Sequence, residues 1–280
     1  MKLSIRPVET VEEFRACEDL QHRVWAMPDN LDVVPLHLLV EVQRSGGLLL
    51  GAFDSDELIG LVFGFPGLTA SGKLKHCSHM LGVAPDYQDL GIGYQLKLAQ
   101  RKHALRGGFD LVTWTYDPLE TRNAYLNIHK LGALCRTYVR EYYGPMSDGL
   151  NVGLPSDRFQ VEWWIASERV VQRLAGELST QVPGPAFQVN TTARTAAGLL
   201  APGSLTLDAD APLVQIEIPG DYQAMKTADP GLALTWRLAM RQVFETYFQA
   251  GYTVVDFLGR QTAGGRLGYY FLAAMPAAMA

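Results

Sequence analysis

The chain has 280 residues, 48% hydrophobic and 19% charged, with 24 Lys plus Arg against 29 Asp plus Glu and a formal net charge of −5. Such length and apolar content allow one large domain or two small ones around a substantial core, and exclude a disordered chain. Charges of both signs are interspersed, which argues against a nucleic-acid surface with its clustered basic face. No run of about eighteen apolar residues is present to span a membrane.

Residues 3–8 alternate and read as a strand, and residues 11–24 keep Val11, Phe14, Cys17 and Val24 at helical spacing. Thr10 with Glu13 three residues on has the form of a capping box. Pro35 at a first turn predicts a helix over 35–44, stopped by Gly46 and Gly47. Residues 48–53 and 58–65, separated by Asp54-Ser55-Asp56-Glu57, read as an antiparallel hairpin. A strand over 76–83 leads to Gln88-Asp89-Leu90-Gly91-Ile92-Gly93, and a helix-like run follows over 94–106. Strand 109–116 and helix 121–133 complete this part.

Beyond it, the turn-rich stretch from Gly144 to Pro155 reads as a boundary or a loop, which divides the chain into 1–155 and 156–280. The second part reads as strand 158–165, helix 167–178, an irregular stretch over 182–203 with Pro183, Pro185 and Pro202, strand 213–218, helix 232–250, and strands 252–258 and 269–273. Ile216-Glu217-Ile218-Pro219-Gly220-Asp221-Tyr222-Gln223 echoes Gly82-Val83-Ala84-Pro85-Asp86-Tyr87-Gln88, so this part reads as a degenerate copy of the first or as a chance likeness. Gln223 is followed by Ala224, Met225 and Lys226, so a single cofactor site is expected.

The turn at 88–93 carries the most chemistry. Two glycines let the backbone approach a ligand closely, and the first N–H groups of a helix point outward without intrahelical partners. With the helix dipole they suit an anion, and no Lys or Arg lies between Lys75 and Lys97. A Walker loop and a dinucleotide turn both fail, since each would need Gly where Leu96 stands.

Gln88-x-x-Gly91-x-Gly93 does match [QR]-x-x-G-x-[GA], and the chain here resembles the GNAT superfamily of acyl-CoA-dependent N-acyltransferases. Residues 81–87 (LGVAPDY) look like that family's approach to the loop, and residues 121–133 (TRNAYLNIHKLGA) look like its next helix with a K-L-G-F ending. The resemblance covers roughly residues 1–150. It implies an α/β fold with a central mixed sheet flanked by helices; the rest is a C-terminal α/β half, whose echo of the first leaves a degenerate GNAT-like repeat or a chance likeness open. It also implies acetyl-CoA or another acyl-CoA as cosubstrate, without a metal. By position, backbone groups of Leu81 and Val83 would hold the pantetheine and polarise the thioester. The turn Gln88, Asp89, Leu90, Gly91, Ile92, Gly93 and Tyr94 would hold the diphosphate, and Asn123 would touch the pantetheine arm.

The family's Tyr proton donor is replaced by Ile128, leaving Tyr125, His129 or water for that role. His79, on a strand position where some relatives carry Glu, is the general-base candidate, because imidazole titrates near working pH. Arg158, Trp163, Trp164, Arg260 and Arg266 are the acceptor-side candidates, an Arg to clamp a carboxylate or an indole to wall a pocket. The expected acceptor is a small-molecule amine, amino-acid-like, with a homodimer allowed. Cys17, Cys77 and Cys135 lack metal or C-x-x-C spacing and read as buried free thiols of a reducing compartment. The N-terminus lacks a signal-peptide core, so the expected location is cytoplasmic. A non-catalytic acyl-CoA sensor and an interaction protein that has lost the cofactor are the competing expectations.

Overall fold

The computed structural model describes residues 2–27, 29–144, 153–177, 185–262 and 265–274. Pro28, most of the stretch read as a boundary (145–152) and Pro183 lie outside them. The chain forms two compact units. One gathers the described residues up to Trp114 with Trp164–Ala166, and the other holds the remaining described residues from Thr115 onward. Residue 155 falls in the second.

In the first unit, β1 (Leu3–Pro7), β2 (Leu48–Asp54), β3 (Glu57–Leu68), β4 (Leu74–Val83) and β5 (Leu111–Tyr116, which carries the chain into the second unit) lie side by side in chain order. The first four are antiparallel neighbours and β4 and β5 run parallel, so the sheet is mixed. Helices α1 (Val11–Trp25) and α2 (Leu36–Arg44) cover one face and α3 (Ile92–Arg106) the other. Strand alternation sorts the core: Leu49, Leu61 and Phe63 pack with Phe14, Leu20 and Leu39, while Leu48, Leu50 and Val62 pack with Ile92 and Leu96.

The capping box predicted for α1 is present, with Thr10 accepting from the Glu13 N–H and Glu13 returning to the Thr10 N–H. Glu13 also takes the Arg6 guanidinium at 2.6 Å, and that bond leads the causes that pull its carboxyl down to about 2. Pro35 is the N-cap of α2, one position earlier than expected.

In the second unit the chain makes a short α-turn, α4 (Thr121–Ala124), which runs on with helical dihedrals into a π-helical turn (Tyr125–Lys130), so the helix expected over 121–133 is present but changes its winding at Tyr125 and ends at Lys130. β6 (Leu134–Val139), β7 (Arg158–Trp164), α5 (Glu168–Ala175), β8 (Phe187–Gln188), β9 (Asn190–Arg194), β10 (Leu200–Leu205), β11 (Leu213–Pro219), α6 (Tyr222–Ala228), α7 (Pro230–Gln249), β12 (Tyr252–Thr262) and β13 (Gly265–Ala274) follow. Their sheet order is β7-β6-β12-β13-β11-β8, again mixed because β11 and β8 are parallel. The stretch expected to be irregular instead holds β8 and the β9–β10 pair. Pro202 sits where that pair's register shifts, a place a strand tolerates proline.

Candidate functional site

The glycine turn follows directly from β4 through a 3-10 turn at Pro85–Tyr87. Gly91 is the N-cap of α3, with φ 77, and a Cβ built on it would meet nothing within 4 Å. That backbone conformation favours glycine, and the open space before it gives a ligand room. Asp89 also takes a positive φ, 63, so the loop turns twice in quick succession. The N-cap residues Thr10, Ser167, Asp221 and Asp229 give α1, α5, α6 and α7 side-chain caps, whereas Gly91 of α3, like Pro35 of α2, gives none. The start of this 15-residue helix is the kind of backbone end that suits an anion.

Strand β4 shows why the backbone before this turn matters. Its register with β3 runs Val83↔Gly60, Gly82↔Leu61, Leu81↔Val62 and Met80↔Phe63, then slips so that Ser78 faces Gly64. His79 is therefore the extra residue of a β-bulge, a device that re-aims side chains beside functional sites. Ala84 N–H donates to Ile59 C=O at 2.8 Å. Bonded and non-bonded pairs alternate in an antiparallel ladder, so Gly82 and Met80 bond to β3, and Leu81 and Val83 turn their N–H and C=O groups the other way. The Gln88 side-chain amide donates to Val83 C=O at 3.2 Å, consistent with that orientation. On that outer side β4 pairs with β5 at His76↔Val112 and Cys77↔Thr113.

The His79 ring lies between Phe63 and Phe65, with centroids 6.0 and 6.1 Å away. His79 is exposed on the strand, yet this packing partly desolvates the imidazole and lowers its pKa below the ordinary histidine value. His79, Leu81, Val83 and the residues from Gln88 to Tyr94 thus form one continuous strand, turn and helix of the first unit.

Asn123, Tyr125 and His129 belong to the second unit. Tyr125 stacks on His129 with centroids 4.9 Å apart, and His129 Nδ1 lies 2.9 Å from Asp256 Oδ1, whose other oxygen accepts from Arg173 at 3.1 Å. Ile128 is fully buried. Of the acceptor-side candidates, Trp163 is fully buried and donates through Nε1 to Leu131 C=O, and Arg158 is buried near Asp117, whereas Arg260 lies exposed over the Tyr269 ring.

Sequence reasoning missed a buried polar cluster on the α3 face of β4. Lys97 Nζ donates to Ser78 Oγ at 2.9 Å and to Gln100 Oε1 at 3.0 Å, and sits 3.5 Å from the centre of the Trp114 ring. Gln100 Nε2 in turn lies 3.1 Å from His76 Nε2. Lys97 is 1% exposed, and burial draws its pKa well below the ordinary lysine value. A lone lysine in a helical run reads as a solvated one, and only the position of Ser78 under α3 reveals otherwise.

Cys17 and Cys135 are buried and Cys77 half-buried, and all three are free. Among the described residues no group of three or more His, Cys, Asp or Glu could hold a metal, and no helix is long and apolar enough to cross a membrane.

No protein-family model and no curated protein matches the chain. Solved structures do. The ribosomal-protein-S18-alanine N-acetyltransferase from Escherichia coli is similar at 17% identity, over 59% of this chain and 97% of that one, with a TM-score of 0.45. A putative acetyltransferase of the GNAT family from Desulfovibrio desulfuricans gives 16% identity, 59% and 99% coverage and a TM-score of 0.46. Arabidopsis thaliana Naa50, solved with a bisubstrate analogue, gives 17%, 58% and 98%, and 0.44.

Proposed function

We propose that this chain is an acyl-CoA-dependent N-acyltransferase of the GNAT type, moving an acyl group, acetyl first among them, to the primary amine of a small molecule such as an amino acid. The observation that carries this reading is one strand-turn-helix unit. In it a bulge presents His79, two strand residues turn their amides away from the neighbouring strand, and an uncapped helix start opens at Gly91.

The residues present fit the carrier. The uncapped end of α3 with the open space at Gly91 suits a diphosphate, which such a helix end stabilises without cationic side chains. Leu81 and Val83 offer backbone N–H groups to the pantetheine arm and the carbonyl. When bound, acyl-CoA supplies an activated acyl group, so no covalent enzyme intermediate is required.

The protein's part is positioning, polarisation and proton transfer. His79, whose pKa is lowered by partial desolvation, accepts a proton from the incoming amine directly or through one water. Its place on the bulge puts it on the α1/α2 side of the sheet, with Phe63 and Phe65, and the amine would approach from there.

The test is release of free CoA thiol from acetyl-CoA in the presence of a panel of amines, alongside calorimetry with CoA. Binding with amine-dependent turnover supports the reading. Binding without turnover on any amine favours a non-catalytic acyl-CoA sensor, and absence of CoA binding removes the reading altogether.

A further inference from the structure

Strand β3 carries Phe63 and Phe65 two residues apart, so both rings lie on the α1/α2 face of the sheet. Phe63 is buried in the core, whereas Phe65 is 36% exposed. The reason is local: the pairing of β2 with β3 reaches Leu48↔Gly64, and Phe65 is the first residue past that pair. Its partner on β4 is Cys77, half-buried, and Gly67↔Lys75 follows on the same face. A Cβ on Gly67 would stand 2.7 Å from Cys77 Sγ, so the thiol leans over the bare glycine. His79, exposed on the bulge, completes the row, with its ring centroid 6.1 Å from that of Phe65.

A single exposed phenylalanine needs no explanation. Here Phe65 shares one face with Cys77 and His79, and none of the three brings a charge partner to the candidate base. Burial is the whole cause of the His79 shift, and no neighbouring charge adds to it. The cation on this strip is Lys75, two residues beyond Cys77, whose Cε lies 3.8 Å from where Gly67 would carry a Cβ. It leans across to β3 rather than along β4 toward His79. At roughly 7 Å for every two strand residues, it is out of reach of a carboxylate borne one carbon from an amine at His79.

A substrate resting on this shelf gives up water around whatever lies next to its nitrogen. Apolar carbon gains from that, and a carboxylate without a partner loses. The same desolvation favours the neutral amine over the ammonium, and the neutral amine is the form that attacks a thioester.

We infer that the acceptor is an amine with an aromatic or bulky apolar group and no charge beside its nitrogen, seated on Phe65 and Cys77 while the nitrogen faces His79. This rests on the acyl-CoA reading given above and narrows its acceptor. Phe65 sets the specificity, and His79 takes the proton.

The experiment compares the wild-type chain, Phe65→Ala and Phe65→Leu with acetyl-CoA and three amines. Phenethylamine carries the ring, phenylalanine adds a carboxylate beside the nitrogen, and ethanolamine lacks the ring. Release of CoA thiol gives kcat/KM for each. Wild type should favour phenethylamine over each of the other two by at least about tenfold. In Phe65→Ala the ratio of phenethylamine to ethanolamine should fall toward one, with the loss read in the KM for phenethylamine, and Phe65→Leu should restore part of it. Phe65 is exposed and lies past the β2 pairing, so both variants should fold. Should Phe65→Ala unfold, the wild-type ratios still decide. Equal use of phenethylamine and ethanolamine, a preference for phenylalanine, or a ratio kept in full by Phe65→Ala overturns the inference and leaves the acyl-CoA reading intact. CoA binding with no turnover on any amine overturns both.

Discussion

Gln88 ties the glycine turn to the strand before it: its Nε2 donates to the Val83 carbonyl at 3.2 Å. This bond fixes the turn relative to the amides of Leu81 and Val83, the groups the account assigns to the carrier. Gln88→Ala should cost only about 1 kcal/mol of fold stability, the net worth of one such bond. It should weaken CoA binding several-fold, because turn and strand no longer hold one geometry. Denaturant melts and calorimetry on the same sample check this, and unchanged affinity would leave Gln88 a purely structural tether.

His79→Ala should lower kcat by about 100-fold or more with little effect on the acyl-CoA KM. A base must be neutral to work, and desolvation lowers the His79 pKa below the ordinary histidine value. Wild-type kcat should therefore rise with pH along a limb centred below about 6.5, and the variant should lose that limb. A variant with the same acid limb as wild type would remove His79 from the role.

His76 gives a stability prediction independent of activity. Burial, then the charges of His103 and Lys97, lower its pKa to about 4. The unfolded chain binds this proton near 6.5 and the folded chain does not, so above that pH the group contributes no penalty. As pH falls from about 6.5 to about 4 the folded state loses up to about 3 kcal/mol, and the penalty is complete below. Denaturation of wild type and His76→Gln across this range should converge toward acid by an amount of that order. Parallel curves would show that His76 takes up its proton without opening the fold.

The legible parts of the site were those whose chemistry is local. Gly91 at a positive φ, the uncapped helix start and the Thr10–Glu13 box all follow from residue types at fixed offsets. The bulge at His79 was not legible, because a slip of one residue between β3 and β4 leaves no mark on alternation alone. Nor was Lys97: its partners Ser78 and Trp114 come from two different strands, so only the fold brings them together.

The second half shows the same limits. Pro185 and Pro202 argued for irregular chain, yet β8, β9 and β10 accommodate that stretch, with Pro202 at a register shift. No Gly or Pro interrupts residues 121–130, so the change from α-turn to π-turn could not be read from breakers. Asp229-Pro230 did carry a start signal for α7, a side-chain cap with proline in the first turn, and the sequence reading placed that start two residues late.

In the proposed function the helix end at Gly91 grips the diphosphate of CoA. Calorimetry of the wild-type chain with CoA and with pantetheine, which lacks the diphosphate, tests it without any substitution. Charge-assisted bonds to backbone N–H groups should contribute a few kcal/mol, so CoA should bind at least about tenfold tighter than pantetheine. Equal affinity for the two, or no binding of CoA, would contradict the account.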